Sequence, residues 1–128
     1  MCFLGTPLFA KAVLYECQIT QKKEGMDWIS DQVGIVVSAD NSVKVLDAVT
    51  LYFFEGPIDA TRVRNSAGKL DVRWTISDAR DSANNYIPHF EYHAIINKKN
   101  GSFALYAKPE NYPNRFSGKG HCVTKTAK

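Results

Sequence analysis

An all-β fold is what this sequence predicts: an antiparallel up-and-down barrel or flattened barrel of about eight strands, with a two-sheet β-sandwich as the alternative. Three observations carry the prediction. Short alternating or β-branched runs recur along the chain, separated by clusters of Gly, Pro, Asn, Asp and Ser. No long helical pattern interrupts them, and there is no crossover of the kind parallel strands need. A meander built this way has two unpaired edges, which closure removes. The runs are organised around residues 89–109, HFEYHAIINKKNGSFALYAKP.

Residues 13–20 (VLYECQIT) form the first strand, with Val13, Tyr15, Cys17 and Ile19 facing inward and Leu14 and Glu16 outward. Residues 21–26 make a polar turn around Gly25, and residues 27–30 suit either a short helical turn or a strand start. Residues 33–39 (VGIVVSA) are the second strand, turned by Asp40-Asn41-Ser42. Residues 43–54 (VKVLDAVTLYFF) read as one long strand, apolar on both faces after Asp47, with a bulge or bend expected at Asp47-Ala48. Glu55-Gly56-Pro57 ends it, and residues 58–65 form a polar, Arg-containing edge strand.

Residues 69–77 (KLDVRWTIS) show the cleanest alternation: Leu70, Val72, Trp74 and Ile76 inward, Asp71, Arg73 and Thr75 outward. Residues 78–88 are a long irregular connection with room for a helical turn at 79–83. In the central hairpin, Asn100-Gly101 predicts a type I′ turn, since both residues tolerate positive φ. That turn sets Ile96 opposite Leu105, Ala94 opposite Ala107 and Lys98 opposite Phe103. Tyr92, Ala94, Ile96, Phe103, Leu105 and Ala107 then share the core face, and Glu91, His93, Asn97, Tyr106 and Lys108 the other. Residues 110–120 are a turn-rich loop, and a last strand at 121–126 brings Cys122 back towards Cys17.

With 128 residues the chain supports one core that buries about two-thirds of its unfolded surface. Sixteen cations and thirteen anions are interspersed for a net charge of +3, without the long like-charge run of a nucleic-acid arm, so no nucleic-acid partner is expected. No apolar run approaches the roughly 18 residues of a membrane span. The N-terminal CFLGTPLFAKA ends in Ala10-Lys11-Ala12, the small-residue pattern of a signal-cleavage site. Residues 1–12 therefore read as a signal-peptide remnant, with a short strand or tether as the alternative, and 13–128 as a single β domain. On this reading Cys2 leaves with the signal. Cys17 and Cys122 remain as a disulfide pair in a periplasmic or secreted protein.

In strand count and order the chain resembles the lipocalin-like group, which implies a ligand-carrying barrel. It departs from that group at Gly25-Met26-Asp27-Trp28, one residue longer than Gly-x-Trp. Tyr15-x-Cys17, Trp74-Thr75-Ile76 and the run from Phe116 to Cys122 are similar to small exported bacterial β-barrel proteins of unknown function. That resemblance spans residues 15–122 and implies no activity.

His89, Glu91 and His93 share one strand face, but the histidines stand about 13 Å apart and cannot both ligate one metal. A solvated polar face is the plainer account. His121 and Cys122 point to opposite faces. Asp78 and Asp81, with Arg80, offer either an acid–base pair at a barrel mouth or a loop ion pair. The glycine-rich stretch 116–120 reads as a turn, and no phosphate loop, nucleophile elbow or Cys-x-x-Cys occurs. No catalytic residue, metal or cofactor is assigned.

Tyr86, Tyr112, Arg115 and Phe116 are the candidate ligand residues. They lie in two irregular connections at one end of the barrel, where they rim a small apolar or sugar-like pocket or plug a filled barrel. The expected function is a non-catalytic binding or structural module of the envelope or exterior that carries a small apolar molecule. The alternatives are a small hydrolase or isomerase using loop carboxylates, and a partner-recognition or inhibitor domain presenting residues 112–116.

Overall fold

The computed structural model describes residues 12–23, 28–80, 83–84, 86–110, 112–113 and 115–126. Apart from Ala12, the signal-remnant segment lies outside the described residues, as do residues 24–27 and Asp81, while residues 21–23 of the expected turn 21–26 continue the first strand instead. One antiparallel sheet of nine strands curls into a half-barrel. The strands are β1 (Val13–Lys23), β2 (Gln32–Val37), β3 (Val43–Asp47), β4 (Ile58–Asp59), β5 (Arg62–Asn65), β6 (Lys69–Arg80), β7 (Tyr86–Asn97), β8 (Ser102–Pro109) and β9 (Phe116–Thr126). Among the described residues a single helix, α1 (Ala48–Phe54), separates β3 from β4. Among the described residues no helix is long and apolar enough to cross a membrane.

The strand order is β4-β3-β2-β1-β9-β8-β7-β6-β5, so all neighbours in space are neighbours in sequence except β1 and β9. The two edges, β4 and β5, are consecutive in the chain and separated only by Ala60 and Thr61. A flat sheet would hold those edges about 38 Å apart at about 4.8 Å per strand. Three residues reach about 10 Å. Only a curled sheet meets both conditions. The backbone shows the constraint directly: Ala60 N donates to Val43 O on β3 at 2.9 Å, and Thr61 N to Arg73 O on β6 at 2.8 Å. The expected edge strand 58–65 thus breaks in two and serves both margins, which yields the ninth strand.

The core face follows the alternation. Leu70, Val72, Trp74 and Ile76 are buried, as are Tyr92, Ala94, Ile96, Phe103, Leu105 and Ala107. Trp74 stacks on Tyr92 with centroids 5.4 Å apart and Tyr92 on Phe90 at 5.2 Å, and the Trp28 ring tilts against Phe90 at 4.4 Å. Residues 28–30 pack into the interior here. Ile29 is fully buried, Tyr92 Oη donates to Trp28 O at 2.8 Å, and Ile19 N donates to Asp31 O at 2.7 Å. On β9 the side chain that would compete for this space is missing: a Cβ on Gly118 would meet Ile29 Cγ2 at 2.9 Å. The expected turn at 116–120 is accordingly a strand, paired with β8 from Phe116 to Gly120.

Three further expectations are corrected. The hairpin does not form a two-residue I′ turn: β7 ends at Asn97 and β8 begins at Ser102, and Ile96 faces Phe103 while Ala94 faces Leu105. Asn97 Oδ1 accepts from Lys99 N, Asn100 Oδ1 accepts from Ser102 N, and only Gly101 takes positive φ, at 77°. These side-chain bonds stabilise a four-residue loop, and the register moves by two, which preserves every facing. The connection 78–88 is shorter than expected, because Ala79 and Arg80 pair with Ile87 and Tyr86 instead of starting a helical turn.

The third correction concerns residues 43–54, where the strand stops at Asp47 and α1 follows. Asp47 Oδ1 accepts from Thr50 N at 2.8 Å, Asp47 N donates to Thr50 Oγ1 at 2.9 Å, and Glu55 in the left-handed region closes the helix. This reciprocal cap overrides the β-branched, aromatic composition that suggested a strand.

Asp47 is 4% exposed, and its Oδ2 has no hydrogen-bond partner among the described residues. Burial pushes its pKa above the ordinary 3.8, against the downward pull of the Thr50 bonds. The protonated form is therefore favoured by folding. Its contribution is fully present below the unfolded pKa and is lost as pH rises through the raised folded value. Asp47→Asn keeps the cap acceptor and removes the buried charge. The melting temperature of Asp47→Asn relative to wild type is expected to rise between about pH 4 and pH 7. A gap that is the same at both pH values would contradict the buried-charge account.

Candidate ligand-binding groove

The outward residues of the long strands line up across the sheet, because directly opposed residues share a face. Arg62 faces Arg73, Arg73 faces His93, His93 faces Tyr106, Tyr106 faces Ser117, and Ser117 faces Lys23. This is one continuous row over six strands, β5 to β1 through β9. A parallel row holds Thr75, Glu91 and Lys108. A groove of about 730 Å³ lies along both rows, bounded also by Thr61, Arg115 and Phe116. That volume is in the range of small-molecule and oligomer sites.

The charge is uneven. Among the described residues, Lys23, Arg62, Arg73, Lys108 and Arg115 line the groove with one carboxylate, Glu91. Three lysines elsewhere are paired: Lys22 with Asp31 at 2.6 Å, Lys44 with Asp59 at 2.8 Å and Lys125 with Glu16 at 2.7 Å. Among the described residues, none of Lys23, Arg62, Arg73 and Lys108 has a carboxylate within 4.0 Å. Arg62 and Arg73 are moreover directly opposed, an arrangement of like charges that costs stability unless an anion lies between them.

His93 is held from beside the row, its Nε2 2.8 Å from Asp71 Oδ1, with both side chains about one-fifth exposed. Its ring lies 6.2 Å from that of Tyr106, which is 43% exposed. The result is a cationic floor with an aromatic surface, suited to holding an anion. Guanidinium groups match carboxylates and phosphates through paired parallel hydrogen bonds.

The candidates read from the sequence divide between two places. Arg115 and Phe116 border the groove, and the Phe116 ring stacks at 6.0 Å on Phe90 beneath it. Tyr86 and Tyr112 meet at the sheet end instead, where Tyr112 Oη lies 3.4 Å from Tyr86 O. The Tyr86 hydroxyl donates to Asp78, which pushes its own pKa up, and the Arg80 guanidinium sits 5.3 Å over its ring. The two connections do share one end, tied by Glu110 N to His89 O at 2.8 Å.

Cys17 and Cys122 form a disulfide with Cα atoms 3.9 Å apart, at directly opposed positions of β1 and β9. Among the described residues no group of three His, Cys, Asp or Glu side chains is placed to hold a metal. Sequence reasoning missed Lys23, Arg62, Arg73, His93, Tyr106 and Lys108 as a set. Their only local signal was an outward position in an alternating strand. No protein-family model, no curated protein and no solved structure matches the chain.

Proposed function

We propose that this domain is a non-catalytic binding module of the periplasm or the cell exterior, whose ligand is an anion seated in the outer groove. The observation that carries this reading is the row that brings Lys23, Arg62 and Arg73 onto one face with no carboxylate partner among the described residues, Arg62 beside Arg73. The interior, which an apolar ligand would need, is occupied by the rings of Trp74, Tyr92, Phe90 and Trp28. Binding is therefore assigned to the outer face of the sheet. The Cys17–Cys122 bridge supports export, since such bonds persist in oxidising compartments. The joint tethering of β3 and β6 by Ala60 and Thr61 supports a barrel of the up-and-down kind.

A matched pair of charge reversals tests it. Arg62→Glu with Arg73→Glu and Lys44→Glu with Lys125→Glu change the net charge equally, the second pair outside the groove. Breaking exposed ion pairs such as Lys44–Asp59 costs little, about 0–1 kcal/mol each. The first variant is expected to lose affinity for dextran sulfate by about tenfold or more, and the second to stay within about twofold of wild type. Equal losses would mean that only net charge matters, and the groove would not be the site.

A further inference from the structure

Resting on that assignment of the outer groove as an anion site, we infer that its ligand is an extended acidic polysaccharide, a chain of uronate sugars laid across the strands. Length is the first argument. The row from Arg62 to Lys23 crosses five strand spacings, about 24 Å, which is the scale of an oligosaccharide rather than of a single small anion. The second is the mixture of groups. Glu91 stands between Thr75 and Lys108 in the middle of the groove, where its carboxylate suits the hydroxyl donors of a sugar chain, which a phosphodiester backbone lacks.

The hydroxyls of Thr75, Ser117 and Tyr106 also face the groove. None of them has a protein partner among the described residues, so each is available to a polyhydroxylated ligand. Tyr106 supplies one exposed aromatic ring against which a sugar face packs. Single-stranded nucleic acid is usually held by several stacking rings in succession, and this row offers no such series. Arg62 and Arg73, side by side, suit the carboxylates of successive uronates through bidentate pairing.

Calorimetric titration with three probes tests the inference: a galacturonate hexamer, its fully methyl-esterified form, and hexathymidylate. The hexagalacturonate is expected to bind, and esterification to weaken it by about tenfold or more. Glu91→Gln is expected to tighten hexathymidylate by removing a repelling charge and to leave hexagalacturonate tightened less or not at all, because the same relief is offset there by loss of the charged acceptor for its hydroxyls. Unchanged melting temperature identifies the variant as folded, as expected for an exposed side chain. Hexathymidylate binding more tightly than hexagalacturonate, with both tightened equally by Glu91→Gln, would overturn the polysaccharide and leave the anion groove intact. Equal binding of acid and ester would overturn both. If no probe binds, the polysaccharide is overturned, and the dextran sulfate comparison separately decides the groove.

Discussion

A methyl group added at Gly120 is expected to cost about 4 kcal/mol or more, beyond the usual 1–3 kcal/mol of overpacking. The new Cβ would stand 1.7 Å from Gln18 O, 2.7 Å from Gln18 C and 2.9 Å from Ile19 Cα. All three are backbone atoms and none can rotate away. The approach is this close because β1 carries a bulge: pairing passes from Ile19–Gly120 to Gln21–Lys119, leaving Thr20 as the extra residue. Relief would require β1 and β9 to separate, and theirs is the pairing that joins the two halves of the meander. Gly34→Ala is the control. Its Cβ would lie 3.6 Å from Leu46 O and 3.9 Å from Leu14 Cδ1, in ordinary contact, so its effect should stay within about 1 kcal/mol. Urea unfolding of both variants measures the difference. Similar midpoints would show that the β1–β9 pinch is not where the chain is tightest.

The second large effect is expected on removing the Cys17–Cys122 bridge by a double change to Ser. The bridge joins residues 105 apart, and closing a loop of that length contributes about 4–5 kcal/mol in the chain-entropy description. Measured losses in small domains run from about 2 to 5 kcal/mol, and about 3–4 is expected here. Position adds to length. β1–β4 and β5–β9 are each a local meander, and only the β1–β9 ladder unites them in one sheet. The bridge holds that ladder at its middle, at buried positions, so the denatured chain loses its longest-range freedom. Urea midpoints of wild type and the double variant, both fully folded at zero denaturant, provide the test. A loss below about 1 kcal/mol would mean the ladder holds without its cross-link.

These two expectations differ in how early they become legible. The disulfide follows from counting: two cysteines, one near each end of an exported-looking domain. The pinch at Gly120 does not, because a glycine inside Phe-Ser-Gly-Lys-Gly-His looks like turn chemistry until a partner strand is known. The same distinction applies to Asp47. Its cap is a local Asp-x-x-Thr pattern, but with Val49, Tyr52 and Phe53 around it the strand interpretation has equal local support. Helix α1 is chosen because it lets Asp47 and Thr50 satisfy each other while buried.

By itself the sequence determined the all-β class, the inward set of nearly every strand, the central hairpin and the cysteine pair. Alternation has a period of two, so even a register moved by two residues at Asn100-Gly101 leaves Tyr92, Ala94 and Ile96 in the core. The tertiary structure alone decided the split of residues 58–65 between both sheet edges and the row from Arg62 to Lys23. Each residue of that row looks like an ordinary solvated side chain in its own strand. Their juxtaposition depends on the registers of five separate strand pairs, from β5–β6 through to β9–β1. Facing is a local property of a strand and can be read along the chain, whereas adjacency across a sheet is set by turns, bulges and non-local pairing.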